Sequence, residues 1–248
     1  MRHLRITFGL ALTVCTFAVA AAPALAKPVF KASSAEKVYS ETEPGTIKGL
    51  ATTVQEFNFG GMIVKCPKAA ISGQVAWTFS KTLANVVKFI KCSTIAHEGP
   101  GKELLLTTTF KTPVDFVFHA NGFAEVGTEF EGEVEISGGE VEMRISGVRG
   151  KCVIGWPAQT IPVKAVKHPE EEFSAAEYST NEVPKPGFPK RFPSGFQNKL
   201  VISNEFKGLH WEVVEGCENF TVTKGSSAKY NGGLEEEVVR GNLEPSSE

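Results

Sequence analysis

The sequence predicts an all-β chain, a two-layer antiparallel β-sandwich-like architecture built as one large unit or two smaller ones, stapled by two disulfides. Three observations carry this. Polar and apolar residues alternate with period two, broken by glycine, proline or asparagine, from Thr46 to Val239. No stretch of twelve or more residues shows clean helical periodicity. Cys66, Cys92, Cys152 and Cys217 form an even set downstream of an export signal.

The signal comes first in the chain. Arg2 and Arg5 precede an apolar run from Ile6 to about Ala22, and Pro23 breaks it before the small-x-small triplet Ala24-Leu25-Ala26. Residues 1–26 therefore read as a cleavable secretory signal, with the mature chain starting near Lys27. About twenty apolar residues could also span a bilayer, but the proline and the cleavage triplet favour removal. Bulky Val14 before Cys15 argues against a lipid anchor there, and Cys15 leaves with the signal. The expected localisation is secreted, extracellular or envelope-associated, with no membrane span after cleavage.

The mature chain would hold 24 basic and 28 acidic residues, a charge of −4. That balance points to no nucleic-acid or anionic-membrane partner. Asp115 is the only aspartate beside 27 glutamates, so the closely spaced aspartates of calcium loops and catalytic dyads are missing. Four cysteines allow three connectivities; pairing of chain neighbours gives Cys66 with Cys92 and Cys152 with Cys217. This pairing divides the chain into an N-terminal β region, 27–110, and a C-terminal β region, 111–240. No Cys-x-x-Cys occurs and the histidines stand apart from the cysteines, so no metal or other cofactor is expected.

In the middle of the chain Glu129, Glu131, Glu133 and Glu135 alternate with Phe130, Gly132, Val134 and Ile136. Gly138-Gly139 then leads into Val141, Met143 and Ile145 alternating with charged residues. This predicts a hairpin with Ile136 opposite Val141 and a solvated face of glutamates. Upstream, Val114, Phe116 and Phe118 precede Asn121-Gly122. A three-residue loop there sets Phe118 against Val126 and puts Asp115 and His119 on a more polar face.

Residues 166–197 hold five prolines and read as a long surface loop whose Phe188, Phe192 and Phe196 could grip a polymer or partner. Strands resume at Lys199–Phe206, Leu209–Glu215, Phe220–Thr223 and Lys229–Arg240, and 241–248 reads as a frayed tail.

The segment Cys152-Val153-Ile154-Gly155-Trp156-Pro157-Ala158-Gln159, with Gly208-Leu209-His210-Trp211, Gly216-Cys217 and Lys229-Tyr230-Asn231-Gly232, carries a resemblance. It resembles secreted β-rich, paired-cysteine proteins present in many paralogous copies in some soil actinobacteria. The likeness spans roughly Thr46 to Gly241, and an extra central cysteine pair common in that group is missing here. It implies export, disulfides and a β fold, and no activity.

No Gly-x-Ser-x-Gly is present, and Ser-x-x-Lys at Ser34 and at Ser226 lacks companion motifs. Asp115 and His119 beside a serine are the one acid–base constellation that can be named. Asn219-Phe220-Thr221 fits the glycosylation triplet. Trp77, Trp156 and Trp211 are candidate stacking platforms for sugars, although strand tryptophans near disulfides usually pack in cores. The expectation is a non-catalytic binding or envelope module for extracellular polysaccharide or an envelope protein. The alternative is a secreted glycan-active hydrolase using paired glutamates.

Overall fold

The computed structural model describes residues 28–34, 38–97, 103–120, 131–144, 150–164, 174–184, 196–218 and 227–247. The signal segment, Phe188, Phe192, the strand expected at Phe220–Thr223 and the Asn219 triplet lie outside them, and Trp77, Trp156 and Trp211 lie within.

Nineteen strands are formed among the described residues. They are β1 (Pro28–Ser34), β2 (Gly45–Ala51), β3 (Gln55–Phe59), β4 (Met62–Cys66), β5 (Lys68–Val75), β6 (Phe79–Ser80), β7 (Thr82–Ile90), β8 (Ser93–His97), β9 (Glu103–Phe110) and β10 (Val114–His119). The chain continues through β11 (Glu131–Ile136), β12 (Gly139–Arg144), β13 (Lys151–Trp156), β14 (Gln159–Lys164), β15 (Ser174–Pro184), β16 (Phe196–Leu209), β17 (Glu212–Glu215), β18 (Ala228–Val238) and β19 (Gly241–Ser247). The all-β, disulfide-stapled expectation holds, and both expected bridges, Cys66–Cys92 and Cys152–Cys217, are formed.

The strands are arranged as a meander of bent rods. A break of one to three residues separates β2 from β3, β4 from β5, β7 from β8, β9 from β10, β11 from β12, β13 from β14 and β16 from β17. At each break the chain passes between one series of strands, ordered β2-β5-β7-β10-β11-β14-β15-β16, and a second, ordered β3-β4-β8-β9-β12-β13-β17. Lys91 takes a φ of 59° at one such corner. Strand β18 joins the series, pairing with β3 through Lys229–Asn231 and with β2 through Leu234–Val238. Its other edge pairs with β16, which closes the first series through β14 and β15 into a ring. A small sheet, β19-β1-β6, stands apart in pairing.

Both series send alternate residues into one core, where Phe57 of β3 meets Phe89 of β7 at 5.1 Å and Tyr230 of β18 at 4.7 Å. Phe116 of β10 meets Tyr230 at 5.7 Å, and Phe206 of β16 meets it at 5.4 Å. Aromatic rings at these separations add to the burial of their area.

Several expectations are corrected. Gly138-Gly139 is a corner between the series rather than a hairpin turn: β11 pairs with β10 and β14, while β12 pairs with β9 and β13. The glycine serves proximity, since a Cβ on Gly139 would lie 2.5 Å from the Trp156 ring. Phe118 faces Val134, while the loop expected at 121–123 and Val126 lie outside the described residues. The 166–197 stretch is no continuous loop, because Ser174–Pro184 is a strand paired with β16 along its whole length. Its one proline, Pro184, ends the ladder opposite Phe196, where a missing donor costs least. The 241–248 tail is no frayed end either: Gly241–Ser247 pairs residue for residue with Ser34–Pro28, and Leu243 is buried. Pairings β7–β10, β9–β12 and β2–β18 join residues 27–110 to residues 111–240 in one sheet.

Candidate functional site

The apolar cavity among Phe57, Phe59, Phe116, Trp156 and Tyr230 measures only about 20 Å³, little more than the space one water needs.

Trp156, expected as a binding surface, belongs to the aromatic core, and Trp211, expected likewise, is partly buried and packs against it. Trp156 is 9% exposed and stacks on Phe59 at 6.1 Å, with its Nε1 donating to the Ser137 carbonyl at 3.0 Å. Trp211 meets Phe59 edge-on at 5.8 Å. Alternation puts Trp156 inward with Ile154 and Cys152, so burying the largest apolar side chains outweighs any stacking role. Trp77 alone of the three is half exposed. Phe196 opens β16 with its backbone opposite Pro184.

The open groove is on the outer face, where β10, β11 and β14 bend into their corners. It is about 470 Å³ and is lined by Asp115 and Val117 of β10, Glu135 and Ile136 of β11 with Ser137 just past it, and Gln159 and Thr160 of β14 with Ala158 just before it. Register builds it: Val117 lies opposite Glu135, and Glu135 opposite Thr160, so one row of side chains crosses three strands. At the corner the Asp115 N–H donates to Ser137 Oγ at 2.9 Å and the Ser137 N–H donates back to the Asp115 carbonyl at 3.0 Å. Strand alternation that turns Val114, Phe116 and Phe118 inward is what turns Asp115, Val117 and His119 out.

Gln159 spans two corners. Its side-chain amide donates to the His210 carbonyl at 3.2 Å and its oxygen accepts from the His210 N–H at 2.9 Å. The Pro157-Ala158-Gln159 and Gly208-Leu209-His210-Trp211 segments, far apart in the chain, are thus locked together, and the Gln159 amide is engaged by backbone.

His119 does not orient Asp115. The two are four residues apart on one strand, about 13 Å of extended backbone, and His119 turns to β11 instead. Its Nε2 lies 2.9 Å from Glu135 Oε1 and its Nδ1 3.7 Å from Glu133 Oε1. The ligand atoms of these three residues lie within 4.8 Å of one another. Each ring nitrogen faces a different carboxylate, so a cation held among these three residues would have to displace one of those contacts. Periodicity turns all three side chains outward, and the β10–β11 register is what brings them together.

The two groove carboxylates, Asp115 and Glu135, stand on adjacent strands of one face, as diagonal neighbours. They sit side by side rather than across a cleft. Comparison with known protein families, with curated proteins and with solved structures finds no match for this chain.

Proposed function

We propose that the protein is a secreted, non-catalytic binding module whose β10–β11–β14 groove takes a polyhydroxylated ligand, an extracellular polysaccharide being the class it fits. The observation that carries this is the groove itself. It offers two carboxylates and the hydroxyls of Ser137 and Thr160 beside the small apolar surface of Val117, Ile136 and Ala158, a mix suited to sugar hydroxyls and ring carbons. Two disulfides support an oxidising, extracellular setting. Among the described residues no helix is long and apolar enough to cross a membrane. The actinobacterial resemblance points the same way on export.

A glycan hydrolase is the second reading, favoured by the one pair of carboxylates in the groove. It fits less well, since glycosidases flank the scissile bond with their acids, while Asp115 and Glu135 lie on the same side of any bound ring.

The test is to pass the purified protein, from Lys27 onward, over a panel of cell-wall and plant polysaccharides, scoring retention and released sugar together. Retention without release is expected. Asp115→Asn and Glu135→Gln should each weaken it about tenfold, the worth of one charge-assisted hydrogen bond. Sugar release abolished by either variant would replace binding with hydrolysis, and retention unchanged by both would remove the groove from the account.

A further inference from the structure

Strand β18 closes the ring, with β2 on one edge and β16 on the other. Its alternation turns Leu234, Glu236 and Val238 inward, and Glu236 is fully buried. Space for it is cut by glycine: a Cβ on Gly49, opposite Glu236 on β2, would lie 3.0 Å from Glu236 Cγ. The partner is Asn85 of β7, 1% exposed, whose Nδ2 donates to Glu236 Oε1 at 2.7 Å.

The other two atoms of this pair, Glu236 Oε2 and Asn85 Oδ1, are both buried and both lack a hydrogen-bond partner. With Glu236 ionised, both are acceptors left without a donor, an expensive arrangement away from water. A single proton on Oε2 satisfies both at once, donating to Oδ1 and closing a two-bond acid–amide ring.

We propose that Glu236 is held as a neutral carboxylic acid paired with Asn85, and that loss of its proton loosens the closed ring, so that the fold is stable on the acid side and weakens toward alkaline pH. Among the described residues no cation opposes this. Beside Glu236 the inward residues are Gly49 on β2, Ile71 on β5, Asn85 on β7 and Leu200 on β16. Among the described residues the titratable group that senses it is Tyr178 on β15, held neutral by burial and, once Glu236 ionises, by the carboxylate's charge as well. Lys199 turns outward to Glu235 and Glu237, at 3.0 and 3.4 Å.

Burial pushes the Glu236 carboxyl up to about 8, the Asn85 bond pulling it partly back. Its ordinary value is 4.5, so between these two the unfolded chain gives up a proton that the folded chain keeps. In that window the folded-to-unfolded ratio drops as pH rises, by up to about tenfold per pH unit, and the loss levels off above the folded value.

Urea unfolding from pH 5 to 9 tests this on the wild-type protein and Glu236→Gln. Glutamine places an N–H where the acid holds its O–H, so the variant should match the wild type near pH 5 and outlast it increasingly up to about pH 8. Parallel pH profiles would overturn the proposal. Infrared spectroscopy of the wild type gives an independent reading that needs no variant to fold. At pH 6.5 a protonated-carboxyl C=O stretch should persist and then bleach around pH 8; its absence at pH 6.5 would also overturn the proposal.

Discussion

Tyr230 ties the aromatic core to the polar interior. It is 1% exposed, touches Phe57, Phe116 and Phe206, and its hydroxyl donates to Gln55 Oε1 at 2.5 Å. The Gln55 amide in turn donates to the carbonyls of Thr53 and Gly233, at 2.9 and 3.0 Å. Tyr230→Phe keeps the ring contacts and strands the Gln55 oxygen, so urea denaturation should show a loss of about 1 to 3 kcal/mol. The outward glutamates of β11 were legible in the sequence, because alternation with Val134 and Ile136 leaves them no other face. Glu236 was not. It is the middle of three consecutive glutamates, and charge suggests solvent for all of them. Yet the same rule of two that exposes Glu235 and Glu237 places Glu236 with Leu234 and Val238, and this signal could have found it.

The disulfides hold elements at their weakest points. Cys66 ends β4 and Cys92 sits in the break between β7 and β8, so this bridge pins two neighbouring corners. Cys152 of β13 holds Cys217, just past β17, whose pairing is with β13. Sequence separations of 26 and 65 residues correspond to about 3.5 and about 4.3 kcal/mol in the chain-entropy model. Replacing Cys152 and Cys217 together by serine should therefore lower the urea midpoint more than replacing Cys66 and Cys92, and the reverse order would show that corner geometry outweighs loop length. The pairing was legible from chain order alone, whereas the hairpin expected at Gly138-Gly139 was not a hairpin. Alternation fixes which side of a strand is buried, but a strand that bends into a second layer keeps the same alternation as one that turns back. The pattern through Val134, Ile136, Val141 and Met143 satisfies both, and only the fit of Gly139 beneath Trp156 separates them.

At the scale of the whole molecule, closure comes from partners far apart in the chain. Strand β18 pairs with β2, and β1 pairs with β19 from Pro28↔Ser247 to Ser34↔Gly241. Such pairings cannot be read from local pattern, which is why residues 241–248 read as a frayed tail. They hold the first strand in place: Phe30 and Ala32 of β1 are fully buried, and Phe30 packs edge-on against Tyr178 at 5.4 Å. On the other edge, β6 offers only Phe30↔Ser80 and Lys31↔Phe79. The β19 backbone also anchors inward, since Gln197 Nε2 donates to the Gly241 carbonyl at 2.7 Å and the Asn198 N–H donates to Asn242 Oδ1 at 3.0 Å. A chain ending at Arg240 would leave one edge of β1 unpaired and remove the Gln197 bond to the Gly241 carbonyl, each buried orphan costing about 1 to 3 kcal/mol. With a domain's net stability only about 5 to 15 kcal/mol, the truncated protein should melt well below the full chain. Limited proteolysis should then cut first within residues 28–34, before any strand of the ring. Cleavage beginning elsewhere, with β1 still protected, would mean that burial of Phe30 against Tyr178 holds the strand without its partner.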